Sequence, residues 1–161
     1  MLNQLEELIA ELRRQKLTIS FAESCTGGML SAAVTEFSGV SDIYVGSVIS
    51  YANEVKVDLL KVRRESLIDE GAVSANVARQ MAQGVRQQLK TDCSVAITGI
   101  AGPTGGSKDK PVGTVWFAVC GPNFEASEKK LFTGSRREIQ NQAVQYAGSF
   151  LLRLLKKEQP G

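Results

Sequence analysis

The sequence predicts a single-domain α/β protein in which a mixed sheet is layered between helices, an α/β/α arrangement. Three observations predict it. Segments with helix-type and strand-type apolar spacing follow one another in the order helix-strand-helix-strand-helix-helix-strand-strand-strand-helix. The last strands are joined through a tight turn, which argues against a purely parallel sheet. The chain has 161 residues and shows no internal repeat, low-complexity tract or linker, which suits one domain over residues 1–161.

Each element carries its own signal. Leu5, Leu8, Ile9 and Leu12 recur at helical spacing, so residues of about 3 to 15 form an amphipathic helix. Leu17 to Ala22 reads as a short strand, and Glu23-Ser24-Cys25-Thr26-Gly27-Gly28 turns the chain into a helix over Met29 to Phe37. Ser38 to Asp42 is a turn, and the β-branched run Ile43 to Ser50 is a second strand. Helical patterns follow over Glu54 to Leu60 and over Glu65 to Glu70, the latter stopped by Gly71. Ser74 caps a longer helix with Val77, Met81, Val85 and Leu89 on its buried stripe. Cys93 to Ile100 is a dense apolar strand that runs into a glycine-rich segment, Gly99 to Ser107. Gly113 to Cys120 and about Glu125 to Phe132 pair through Gly121-Pro122-Asn123. Ile139, Ala143, Val144, Ala147, Phe150, Leu151 and Leu154 mark the final helix.

Composition narrows the chemistry. There are no histidines, which removes Ser-His-Asp and Cys-His nucleophile pairs, imidazole metal ligands and imidazole bases together. Catalysis must then use lysine, tyrosine or carboxylates. Lys and Arg number 19 against 17 Asp and Glu, a net charge of +2 that gives no reason to expect a nucleic-acid partner. Apolar runs fall well short of the roughly 20 residues of a membrane span, and the start of the chain, with Glu6 and Glu7, is not signal-like. The expected location is the cytoplasm, with no membrane partner. Cys25, Cys93 and Cys120 are odd in number and widely spaced, which suggests neither a disulfide framework nor a thiolate zinc site, and the carboxylates form no metal constellation.

Several residues admit two readings. Ser24 stands before a glycine-rich helix start, where its hydroxyl can attack a carbonyl while amides of Cys25, Thr26, Gly27 and Gly28 receive the oxyanion. Spacing alone favours an N-cap serine, a job for which Thr26 competes. Cys25 is an alternative nucleophile, although without histidine its thiolate needs other support. Tyr51 and Lys56 lie five apart across a strand-to-helix transition, so both can face one cleft. A lysine base must be neutral, and at an ordinary pKa of about 10.4 only some 0.04 % is neutral at pH 7. Lowering that pKa by about three units means destabilising the charged form by roughly 4 kcal/mol, which demands burial or a neighbouring positive charge. Tyr51 either relays a proton between Ser24 and Lys56 or fills the core. Gly102, Thr104, Gly105, Gly106 and Ser107 offer backbone amides and hydroxyls that can wrap an anion, or form a plain surface loop. Arg136 and Arg137, at the start of the last helix, can clamp a phosphate or carboxylate, or pair with Glu138 or solvent.

Five ordered motifs, spanning nearly the whole chain, resemble the CinA C-terminal domain family. They are Ala22-Glu23-Ser24-Cys25-Thr26-Gly27-Gly28; Tyr51-Ala52-Asn53-Glu54-Val55-Lys56; Gly71-Ala72-Val73-Ser74; Thr98-Gly99-Ile100-Ala101-Gly102-Pro103 with Gly105-Gly106; and Lys110-Pro111-Val112-Gly113-Thr114-Val115. The resemblance implies a nicotinamide-nucleotide amidase that hydrolyses the carboxamide of nicotinamide mononucleotide to nicotinate mononucleotide and ammonia in pyridine-nucleotide recycling. It implies a catalytic serine, tyrosine and lysine, which fall on Ser24, Tyr51 and Lys56, with no cofactor or metal, and a homodimer as the usual assembly. On that reading Lys56 takes the Ser24 proton through Tyr51. The nucleotide phosphate is expected against the Gly102 to Ser107 loop and Arg136 or Arg137, with Ser41 a further candidate for the cleft. Where members often have Tyr-Ser-Asn and Gly-Asp-Arg, this chain has Tyr51-Ala52-Asn53 and Gly134-Ser135-Arg136. These departures keep open a non-catalytic nucleotide-binding module, and Cys25 keeps open a cysteine-dependent amidase.

Overall fold

A computed structural model describes residues 2–157. The chain forms helix α1 (Leu2–Gln15), strand β1 (Ile19–Glu23), α2 (Met29–Thr35), β2 (Tyr44–Ile49), α3 (Asn53–Leu60), α4 (Arg64–Glu70), α5 (Ala75–Leu89), β3 (Cys93–Gly99), β4 (Thr114–Cys120), β5 (Glu125–Leu131) and α6 (Arg136–Lys157). The five strands make one sheet in the order β2-β1-β3-β4-β5. β2, β1 and β3 run parallel, and β4 and β5 are antiparallel to their neighbours. The mixed sheet and its layering are those expected from the sequence.

Two cores lie on opposite faces of the sheet. On one, Leu5, Leu8 and Leu12 of α1 meet Phe150, Leu151 and Leu155 of α6 and the inner residues of the central strands. On the other, Val77, Met81 and Val85 of α5 pack on Ala22, Ala96 and Ala118. Burying each such leucine or methionine contributes roughly 2 kcal/mol. The chain leaves β1 through α2 toward β2, then returns past β1 through α5 to β3. Crossovers in opposite directions, each right-handed, put α2 and α5 on opposite faces. Beyond the carboxyl end of β1 they leave a crevice, the usual binding place in a sheet of this kind.

The end of α2 departs from expectation, whereas α1, α3 and α5 end where their helical spacing stops. α2 stops at Thr35 rather than Phe37, and Val40–Asp42 winds into a 3-10 turn. α1, α3 and α5 end on Lys16, Lys61 and Lys90, all with φ between 55° and 62°, a conformation that glycine adopts more readily. α3 lies directly on α5 because position 84 is glycine: a Cβ there would stand 2.0 Å from the Leu60 carbonyl oxygen. Among the described residues, no helix is long and apolar enough to cross a membrane.

Candidate active site

Ser24 is the first residue past β1, and its amide donates to the Ile97 carbonyl at 3.0 Å, so the central strand β3 holds its backbone. The chain then turns tightly. Gly27 donates to the Ser24 carbonyl at 3.0 Å, and Gly27 and Gly28 take φ values of 59° and 108° that side chains disfavour. Neither Ser24 nor Thr26 caps α2, contrary to the capping reading. The helix-start amides of Leu30 and Ser31 donate instead to the two carboxylate oxygens of Glu23, each at 2.9 Å. Thr26 Oγ1 and Ser31 Oγ donate to the same carboxylate, both at 2.6 Å. With the Gly27 amide used inside the turn, Cys25, Thr26 and Gly28 carry the amides left to meet an oxyanion. Gln140 on α6 steadies the turn from the other side, donating to the Cys25 carbonyl at 2.9 Å.

Lys56 projects from α3 and is only 1 % exposed. Its Nζ donates to Ser24 Oγ at 2.9 Å, to the Ser50 carbonyl at 2.6 Å and to the Tyr51 carbonyl at 3.2 Å. Burial pushes its pKa down from 10.5 to about 8. Roughly one amine in ten is then neutral at pH 7, several hundred times the fraction of a free lysine. The three acceptors also suit both protonation states. An ammonium gives one hydrogen to each, whereas a neutral amine keeps two for the carbonyls and turns its lone pair to the Ser24 hydroxyl.

The geometry around Tyr51 differs from that of Lys56. Lys56 meets Ser24 directly, and the Tyr51 side chain is 60 % exposed, its hydroxyl accepting from Arg136 Nη2 at 3.0 Å. Arg136 Nη1 donates to the Gly102 carbonyl at 2.7 Å. Both partners of the guanidinium are neutral oxygens, so its charge stays available to a ligand. Ser135 and Glu138 form a reciprocal capping box at the start of α6: the Ser135 amide donates to Glu138 Oε1 at 2.9 Å and the Glu138 amide to Ser135 Oγ at 3.2 Å. The Ser135 amide and hydroxyl hold the Glu138 carboxyl below its usual range. Ser135 thus does the capping job an aspartate would do there, and fixes where Arg136 begins.

These groups enclose a cleft of about 200 Å³. Ser24, Cys25, Lys56, Tyr51, Asn53 and Arg136 supply its side chains, and the Ala72–Val73 and Gly99–Ala101 segments its walls. Buried Thr98 fastens one wall by donating to the Ala72 carbonyl at 3.0 Å. Cys25 also reaches the cleft, but burial pushes its thiol up to about 12, which leaves almost no thiolate at neutral pH and weakens the cysteine reading.

Of the residues singled out from sequence, Ser24, Cys25, Tyr51, Lys56 and Arg136 come together, with Gly102 just behind Arg136. Gly27 and Gly28 complete the turn beside Ser24, while the remaining side chains point or lie elsewhere. Thr26 turns its hydroxyl into Glu23. Thr104, Gly105, Gly106 and Ser107 lie exposed outside the cleft walls, and the Ser107 hydroxyl accepts from the Lys110 amide at 3.1 Å within its own turn. Arg137 sits in a separate groove beside Met29 and Gln145. Ser41 precedes β2, at the opposite end of that strand from the cleft. Glu23, Asn53, Thr98 and Gln140 were not singled out. Glu23, Asn53 and Thr98 stand inside the motifs quoted above; for Gln140 no local signal exists.

Comparison with known proteins identifies the family and the fold. The family model of the CinA C-terminal domain matches residues 2–155. The chain is similar to CinA-like proteins of Syntrophomonas wolfei, 49 % identical over 138 residues, and of Prochlorococcus marinus strain AS9601, 48 % identical over 138 residues. These matches take in 86 % and 85 % of the chain but 33 % and 32 % of the relatives, so the chain spans about a third of their length. Its fold is similar to the competence/damage inducible protein CihA of Agrobacterium tumefaciens, with a TM-score of 0.92, 37 % identity and coverage of 95 % of this chain and 94 % of that one. It is also similar to the competence damage-inducible protein A of Klebsiella pneumoniae, with a TM-score of 0.94, 32 % identity and 98 % of each chain covered. With a family model over most of its length and relatives nearly half identical, the chain belongs to the CinA C-terminal domain family.

Proposed function

We propose that the protein is an amidohydrolase that converts nicotinamide mononucleotide to nicotinate mononucleotide and ammonia, with Ser24 as nucleophile and Lys56 as its base. The observation that carries this reading is the buried Lys56 amine 2.9 Å from the Ser24 hydroxyl, its pKa drawn down to about 8 with no carboxylate among the causes of its shift. Neutral Lys56 accepts the Ser24 proton as Oγ attacks the carboxamide carbon. Amides of the Cys25 to Gly28 turn hold the resulting oxyanion. The lysine then returns its proton to the departing nitrogen, ammonia leaves, and a nicotinoyl ester remains on Ser24. Water, deprotonated by Lys56, opens that ester and frees the carboxylate product, and the proton goes back to Ser24.

Tyr51 has a different part in this scheme from the one expected. Its exposed ring at the cleft rim offers a face to the pyridinium, an attraction of about 1 kcal/mol. The same pyridinium charge disfavours protonated Lys56. Arg136, held by two neutral oxygens, takes the phosphate. The test is ammonia and nicotinate mononucleotide formation from nicotinamide mononucleotide by the wild type and by Ser24→Ala. The expected outcome is turnover by the first and a loss of about 10³-fold or more in the second. Saturable nucleotide binding by calorimetry without ammonia release identifies a binding module instead.

A further inference from the structure

Glu23 is the most completely buried acidic side chain of the site region, with no exposed surface, and the proposed reaction gives it no task. Four donors converge on its two oxygens: Thr26 Oγ1 and the Leu30 amide on one, the Ser31 amide and hydroxyl on the other. A carboxylate is the side chain that accepts four such bonds, whereas a glutamine presents one oxygen and sets its own N–H₂ against the Ser31 amide. The bonding continues outward in one direction. Because Ser31 gives its hydrogen to Glu23, Ser47 must donate to Ser31 at 2.7 Å, and the Tyr44 hydroxyl must donate to Ser47 at 2.6 Å. Tyr44 is in turn stacked on Phe21, with ring centroids 5.4 Å apart.

The position of Glu23 gives this network its meaning. It is the residue before Ser24, and its carboxylate bridges the middle of the nucleophile turn, through Thr26, to the first turn of the helix that follows. Ser24 and the amides of Cys25, Thr26 and Gly28 lie inside the bridged segment. We propose that Glu23 is a positioning residue for Ser24: its carboxylate locks the turn that sets the hydroxyl against Lys56 and aims the neighbouring amides. This rests on Ser24 being the nucleophile proposed above. It is independent of which amide is the substrate.

The test reads Ser24 reactivity with a fluorophosphonate probe, in which Ser24 Oγ forms the bond to phosphorus, fluoride leaves and Lys56 takes the proton. Labelling rates are measured against pH for the wild type, Glu23→Gln and Thr26→Val, with melting temperatures alongside. The wild type is expected to label on Ser24 with a midpoint near pH 8, as burial of Lys56 dictates. Glu23→Gln is expected to lower the plateau by about 10-fold or more with the midpoint unmoved, since a small displacement of reacting atoms costs up to about 10²-fold in rate. Thr26→Val cuts the bridge while leaving the helix cap, and is expected to lower the plateau about 3- to 10-fold. If Glu23→Gln does not fold, Thr26→Val decides. An unchanged plateau in the folded variants overturns the proposal, since a purely structural carboxylate alters melting alone. A shifted midpoint at full plateau also overturns it, because Glu23 then acts through its charge. A wild type that is not labelled on Ser24 overturns both this and the nucleophile assignment. Labelling without ammonia release from nicotinamide mononucleotide overturns the substrate reading and leaves the role of Glu23 standing.

Discussion

Two glycine-rich turns, one after β1 and one after β3, look alike in the sequence and differ sharply in the folded chain. The Ser24 to Gly28 turn is gripped by side chains from both directions, Glu23 from the strand before it and Gln140 from α6. The segment after Gly99 is held at its ends, by Arg136 on the Gly102 carbonyl and by Lys110 on the Glu70 carbonyl at 2.5 Å, while Thr104 to Ser107 between them is exposed. Glycine content gives a backbone the freedom to approach a ligand. What makes a reactive site of such a backbone is buried polar side chains that remove that freedom again.

Four substitutions and one condition test this contrast. The largest effect belongs to Lys56→Met, which is expected to lower kcat/KM by about 10²- to 10⁴-fold, the usual worth of a general base, measured as ammonia release. Next is the pH response of the wild type. Only the neutral amine accepts a proton, so kcat/KM is expected to rise with pH and level off above about 8. The linked stability has a definite sign. Because the folded pKa lies below the unfolded one, the native state binds fewer protons between about 8 and 10.5. The wild type should therefore gain on Lys56→Met as pH rises through that window, by up to roughly 3 kcal/mol in denaturant titrations.

The third comparison sets Arg136→Gln against Ser107→Ala. Loss of a charged hydrogen-bond donor to phosphate raises KM by about 10- to 100-fold. Ser107→Ala, in the exposed stretch, is expected to leave kcat and KM within about 2-fold. A large effect of Ser107→Ala would return the second loop to the site. The smallest effect comes from the helix that carries the base. Ala52 occupies the N-cap of α3 with no side-chain hydrogen bond, so Ala52→Ser is expected to add about 1 kcal/mol to unfolding free energy without changing turnover.

The sequence revealed the elements through local periodicity, which is why the strands and helices lie within a few residues of their expected bounds. The ends of α1 and α3 fell where the apolar spacing stops, although lysine rather than glycine holds the left-handed position after them. Within the site, residue type and spacing made Ser24, Tyr51 and Lys56 candidates, and the resemblance of their motifs to a family chose among their readings. Contacts across the chain were beyond local signals: Arg136 and Tyr51 lie 85 residues apart, and Gln140 and Cys25 lie 115 apart. The capping of α2 was misread for a related reason. Caps are sought two or three residues ahead of their side chain, whereas Glu23 reaches amides seven and eight residues on.

The bare backbone at position 84 reaches further than its place in α5 suggests. Any methyl group there collides with the end of α3, and α3 can retreat only by carrying Lys56 with it. The gap between amine and hydroxyl is therefore gauged from behind, by a missing atom on the helix that α3 lies against.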